Sequence, residues 1–424
     1  MPISRRRLFS VGLAVAGGAL AGCSSGARGG NESGAQVEVF TWWSGPGEKE
    51  GLDALVADFK AKNPGIDFNN AAVAGGAGSN ARAILADRLK ADNPPDSYQV
   101  HAGLELQSDV RAGKCEDLTA LYEQQGWKDN LPKSLLDAIT LDGKIYSVPV
   151  DVHRANLLWY SPKIVTAAGI ASPPKTWDEF LVQAEALKAK GLTALSIGPG
   201  WTQKHLLETV LLGQLGPDKY LGLWNGRTDW NGPDVLAALG IFTKVLGYSD
   251  IASAAGDWQP AIDKIISGAA VYNVMGDWVV AYLSTSKQLV YKTDYAVTTS
   301  PGSVGIYDFL SDSFTLPKGA PHRTAAEKWL MECGSTEGQD LFNPRKGSVP
   351  ARLDSDRALY HGYIAEAIAT WLDTDTTVVG SLTHGVVANT VWSAAIDTAL
   401  AALVHSYDAP AFAAAVASSY QSSR

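Results

Sequence analysis

No apolar run in the 424 residues is long enough to cross a bilayer, and the run from Val11 to Leu20 falls far short of the ~20 residues that a spanning helix needs. Cysteine is scarce: there are three, and no two stand as C-x-x-C, which disfavours a zinc site or a dithiol redox pair. The seven histidines form no H-E-x-x-H pair, so the sequence proposes no metal. Past residue 35 there is no G-x-S-x-G elbow, and Gly75-Gly76-Ala77-Gly78 is followed by no Gly-Lys-Ser/Thr, which removes the α/β-hydrolase and P-loop readings. Positive charge is also short. With 35 basic against 44 acidic residues the net charge is -9, which opposes a phosphate backbone or an anionic lipid surface and excludes nucleic acid as a partner. Methionine is as rare as cysteine, yet there are 13 tryptophans, large rigid faces suited to cores, interfaces or flat ligands.

What is present is a soluble globular composition, 46% hydrophobic and 19% charged, in a chain too long for one core. Two lobes are expected. The first 35 residues read as an address: Ser4-Arg5-Arg6-Arg7-Leu8-Phe9 is a basic start, Val11 to Leu20 a short apolar stretch, and Leu20-Ala21-Gly22-Cys23 a small-residue cleavage site. The start resembles a twin-arginine signal and the end resembles a bacterial lipobox, in which Cys23 would carry the lipid. Residues 1–23 are thus the expected signal peptide and 24–35 a Ser/Gly-rich tether, placing the protein extracytoplasmically on the outer face of the cell membrane. An oxidising compartment favours a disulfide between Cys115 and Cys333, with two buried thiols as the alternative.

Beyond the tether, strand and helix patterns alternate. Val37 to Phe40 alternates as a strand, and Leu52, Leu55, Val56 and Phe59 recur at helical spacing until Asn63-Pro64-Gly65. Ile66 to Val73 reads as a strand, Ser79 as the cap of a helix through Ile84, Leu85 and Leu89, and Ser97 to Val100 as a strand. Beyond Pro149 the pattern restarts, with a capping box at Thr176-Trp177-Asp178-Glu179 and a short strand at Val271 to Val274, and from Ala325 helices dominate. Such alternation implies doubly wound α/β lobes.

Aromatic and charged residues gather where strands end, which is where open α/β sheets bind ligands. Trp42 and Trp43 follow the first strand, then come Glu48, His101 after the third, and Asp151, His153 and Arg154 after Val150. Trp201 and His205, Trp258, Asp277-Trp278, Asp312, Lys346 and His384 complete the set. Aromatic planes suit the C–H faces of a pyranose and charged groups suit its hydroxyls. On an extended segment Trp42 and Trp43 point to opposite faces, so one is expected at a site; Trp177 and Trp329, on amphipathic helices, are expected in the core.

Six segments taken in order, Phe40 to Gly45, Val73 to Arg82, Gln99 to Gly103, Met275 to Trp278, Leu310 to Phe314 and Asn343 to Ser348, resemble the glucose/mannose-binding branch of ABC-importer solute-binding lipoproteins. The resemblance implies a periplasmic-binding-protein-like type II fold, with 36–150 and 314–365 as lobe 1, 151–313 and 366–424 as lobe 2, and crossovers near Val150 to Arg154 and Ser311 to Lys318. It carries ligand contact onto Trp42, Trp43, Glu48, His101, Trp258, Asp312, Lys346 and His384, and onto Asp277 and Trp278 as contact or lobe packing. The loop around Glu48 departs from the family pattern. The implied function is capture of a hexose by a monomer that delivers it to the membrane subunits of a permease, with no cofactor and no covalent step. A disaccharide or other glycoside is the alternative ligand. Two other classes remain open: a lipid-anchored glycosidase using Asp312 and a second carboxylate, whose separation is a tertiary property, and an anchored adhesion module.

Overall fold

The computed structural model describes residues 35–422. The expected signal peptide, Cys23 with its expected lipid and nearly all of the expected tether lie outside these residues. Among the described residues no helix is long and apolar enough to cross a membrane.

One lobe is built on a five-stranded sheet in the order Ile66–Ala72, Ala35–Thr41, Ser97–His101, Asp312–Thr315 and Val148–Pro149. The first three strands run parallel; Asp312–Thr315 runs against Ser97–His101, with Asp312 opposite His101. Two further sheets have four strands each: Ala296–Thr299, Leu157–Tyr160, Ala270–Val274, Thr193–Ser196, and Val349–Pro350, Asp151–Arg154, Ile306–Leu310, Thr377–Gly380. The chain leaves the five-stranded sheet between Pro149 and Asp151 and re-enters it between Leu310 and Asp312. The two passages are tied side by side: Val150 N–H donates to Asp312 O at 3.0 Å, and Ser311 Oγ donates to Asp151 O at 2.6 Å.

Local chemistry explains the elements. Leu52, Leu55 and Phe59 bury one face of helix Lys49–Lys62, and the expected strand-helix order holds through Ser97–His101. At helix Trp177–Ala189, Thr176 accepts from Glu179 N–H at 3.2 Å, and Glu179 reaches back to Lys175 N–H at 2.7 Å, one residue before the usual partner. Ser79 does not cap the next helix as expected: Gly78 occupies that place at φ +85°, and a side chain there would lie 2.9 Å from the Trp42 ring. Only glycine meets both demands.

The hydrophobic residues fall into two clusters divided by strand Leu157–Tyr160, whose Leu157 and Trp159 face one and Leu158 the other. Trp177 and Trp329 are fully buried, as their helical spacing required. The expected disulfide is absent. Cys115 sits with its Sγ 3.2 Å from the Tyr98 hydroxyl, Cys333 is buried within helix Arg323–Gly334, and both are free thiols. Burial pushes the Cys115 thiol up to about 12, so it stays protonated and unreactive.

Candidate functional site

Strand Ala35–Thr41 stops where Trp42 and Trp43 turn under a cavity. Nine of the ten residues expected at the site line it: Trp42, Trp43, Glu48, His101, Trp258, Trp278, Asp312, Lys346 and His384. Both Trp42 and Trp43 border the space, not one, because the strand has ended and its alternation no longer applies.

Gln99 ties the strand ends together. It stands two residues before His101 on the same face, accepts from the Thr41 hydroxyl and from Trp42 N–H at 3.2 Å, and donates to Asp312 Oδ1 at 3.0 Å. Trp42 packs on His101 at 4.9 Å between ring centroids, while Trp43 rests on Phe342 at 4.9 Å and Phe314 at 5.8 Å. Lys346, the last residue of helix Thr336–Lys346, brings its Nζ 5.6 Å from the Trp43 ring centroid.

Charge is arranged in opposed pairs. Glu105 accepts from His101 N–H at 3.1 Å and faces its Nδ1 at 3.2 Å. Burial opposes both charges, but His101 and the nearby Arg82 hold Glu105 at about 2, while Glu105 and Asp312 raise His101 against Arg82. Asp312 Oδ1 lies 3.6 Å from His101 Nε2. On the other side His153 donates from Nδ1 to Asp277 Oδ1 at 2.5 Å. Burial and Lys346 oppose its charge, but Asp151 and Asp277 overcome both and raise it to about 9.

Asp277 is the expected contact that does not line the cavity. It is buried, with one oxygen on His153 and the other accepting Arg154 N–H at 3.0 Å, so it aims His153 instead. Trp278 does reach the cavity and packs 5.1 Å from His384; a side chain at Gly276 would lie 2.1 Å from its ring.

The last wall was less legible. Asp257, not expected from the sequence, accepts from Trp201 Nε1 at 2.7 Å and from Gly76 N–H at 3.3 Å, joining the glycine loop to the start of helix Trp201–Asn225. Its only signal is its place immediately before Trp258. Glu105 was missed although it follows His101 by four residues.

Two groups of donors lie within 4.8 Å of one another, His205 with Glu208 and His384, and Asp151 with His153 and Asp312. In the first, Glu208 and His384 are met by Ser381; in the second, His153 and Asp312 are met by Asp277 and Gln99. The cavity thus offers tryptophan faces, a donor at Lys346, and acceptors at Asp312 and Glu48, the complement of a small polyol with apolar faces.

Glu48 gives the site a pH signature. Burial, with help from Asp257 and Asp312 and against Lys346, raises its carboxyl to about 7. The raised value means that ionising Glu48 costs stability as pH climbs from about 4.5 toward 7, and the cost stays constant above. The residue is partly open to water, which screens the penalty to about 1–2 kcal/mol. Glu48→Gln is expected to stabilise the ligand-free protein by that amount at pH 8 and to have little effect at pH 4.5, measured by urea unfolding at both values. Equal effects at the two would contradict it.

The family model described as bacterial extracellular solute-binding protein matches residues 42–340. The uncharacterized ABC transporter extracellular-binding protein PH1214 of Pyrococcus horikoshii is 32% identical over 96% of this chain and 94% of that protein. A probable sugar-binding periplasmic protein of Rhizobium meliloti is 30% identical over 82% of this chain and 84% of its own. Among solved structures, a chitin oligosaccharide binding protein superposes with TM-score 0.80 at 20% identity, over 93% of this chain and 99% of that one, a likeness of fold.

Proposed function

The chain belongs to the bacterial extracellular solute-binding protein family and has its two-lobed type II periplasmic-binding-protein fold, and from that premise we propose that it is the sugar receptor of an ABC importer, taking one glucose- or mannose-type hexose. The observation that carries the reading is the lining of the cavity itself: Trp42, Trp43, Trp258 and Trp278 are gathered with Asp312, Lys346, His101 and His384 around one space. The sugar-binding description of the Rhizobium relative supports the class of ligand. Lobe 1 is 36–150 with 314–365 and lobe 2 is 151–313 with 366–424, hinged at the paired passages beside Val150 and Ser311. A hexose touching both lobes binds the closed form better and shifts the population to it. The closed form is what the permease subunits recognise, and lipid on Cys23 holds the monomeric receptor at the outer membrane face near them. Nothing in this scheme requires a cofactor.

A second reading, a disaccharide or longer glycoside, is favoured by one feature. A groove of about 720 Å³ shares Ala77 and Trp201 with the cavity and runs past Arg82, Glu105, Lys204 and Asp397. Thermal unfolding with a panel of hexoses, pentoses and disaccharides separates the two. A saturating hexose at 100 times its dissociation constant is expected to stabilise by about 2.7 kcal/mol. A response to disaccharides with none to glucose or mannose would replace the first reading with the second, and turnover of an aryl glycoside would overturn both.

A further inference from the structure

We infer that Ser381 and Glu208 fix the tautomer of His384, so that this wall of the cavity takes a hydrogen bond from the ligand and cannot give one. The inference rests on the sugar-receptor reading only for the identity of that ligand.

Glu208 lies fully buried in helix Trp201–Asn225, and Ser381 follows strand Thr377–Gly380. Ser381 Oγ is 3.0 and 3.1 Å from the two Glu208 oxygens and 2.8 Å from His384 Nδ1, and it accepts from His384 N–H at 3.3 Å. A hydroxyl has one proton to give. A carboxylate can only accept, so the serine proton goes to Glu208, and Oγ is left to accept from His384 Nδ1–H. Burial lowers the basicity of His384, keeping the ring neutral with a single proton. That proton is on Nδ1, and Nε2 is a bare lone pair.

Protonation of Glu208 does not reverse the relay. Burial raises this carboxyl to about 7, so near neutrality it takes up a proton. His205 supplies the place for it: its Nε2 donates to Ala155 O at 3.0 Å, leaving Nδ1 as a buried acceptor without a partner, 3.4 Å from Glu208 Oε1. A proton on Oε1 points there. Oε2 still accepts Thr383 N–H at 2.8 Å and the serine hydroxyl.

His384 lines the cavity 5.4 Å from His101 between ring centroids, and no hydrogen bond among the described residues engages its Nε2. His101 is engaged on its Nδ1 side by Glu105 at 3.2 Å, whereas His384 presents a bare Nε2 and takes a proton. The His384 ring therefore selects a ligand with a hydroxyl proton facing it.

The test is the long-range nitrogen–proton NMR spectrum of the histidine side chains in the ligand-free protein, with His384 assigned through His384→Gln. The expected result is a neutral His384 protonated on Nδ1 from pH 6 to 8. In Ser381→Ala the proton moves wholly or partly to Nε2, and Ser381→Thr restores it. In a second arm, monodeoxy analogues of D-glucose are titrated: the one position whose loss costs at least tenfold through His384 in the wild type costs less than threefold in Ser381→Ala. A wild-type His384 protonated on Nε2, or a tautomer unchanged by Ser381→Ala, overturns the inference. The expected tautomers without any binding of D-glucose would sink the hexose reading while leaving the relay standing.

Discussion

Asp312→Asn is expected to weaken D-glucose binding by at least about 100-fold while leaving unfolding free energy unchanged or slightly higher. The substitution is nearly isosteric and keeps an oxygen to accept from Gln99 Nε2, now 3.0 Å from Oδ1, so the strand ends stay tied. What is lost is the charge and one acceptor inside the cavity. Burial, with the neighbouring Asp151, raises the Asp312 carboxyl against the pull of His101, His153 and Lys346, so its ionised form is a cost to the empty protein. A hydroxyl donating to a charged oxygen is worth about 1.5–3 kcal/mol, and exchanging that acceptor for an amide N–H adds a mismatch, which together reach about two decades in affinity. Calorimetry and urea unfolding on the same two proteins check both halves. A parallel fall in stability and affinity would mean that Asp312 is a structural residue at the lobe passage.

Trp329→Ala is expected to cost about 3–5 kcal/mol of stability, the range for deleting a buried tryptophan. Trp329 is fully buried and meets Phe59 at 5.7 Å, Phe68 at 5.0 Å and Phe314 at 5.3 Å between centroids. Phe314 in turn supports Trp43, so the packing of helix Arg323–Gly334 reaches the cavity through two rings. Trp329 Nε1 is buried without a hydrogen-bond partner, a cost that Trp329→Phe removes. The phenylalanine variant is therefore expected to lose less than half as much as the alanine variant in chemical denaturation. Comparable losses would show that the indole N–H is satisfied in solution.

These two predictions draw on parts of the molecule that differ in how plainly the sequence announces them. The helix bearing Trp329 and the strand before Trp42 follow from the spacing of apolar residues, because burial of one face is a local pattern. Cavity residues such as Asp312 and Lys346 stand out as charged groups among strand ends, but their grouping is legible through short segments whose order resembles a family, since nothing in their spacing brings positions 42, 101, 258, 312, 346 and 384 together. Aiming residues escaped almost wholly. Gln99, Asp257 and Glu208 act through hydrogen bonds to partners 57, 56 and 173 positions away. Asp277 is open in the sequence between ligand contact and lobe packing, because an acid beside a tryptophan looks the same whether it faces a ligand or a histidine. The Cys115–Cys333 pairing failed for a related reason: the compartment permits a bond, but Tyr98 occupies one sulfur and burial isolates the other.

Isothermal titration of D-glucose into the wild-type protein and into Asp312→Asn tests the central claim most directly. The account predicts one site per chain in the wild type, a dissociation constant near the micromolar level, about -8 kcal/mol, and heat nearly abolished in the variant. No heat in the wild type, or the same isotherm in both proteins, would contradict it.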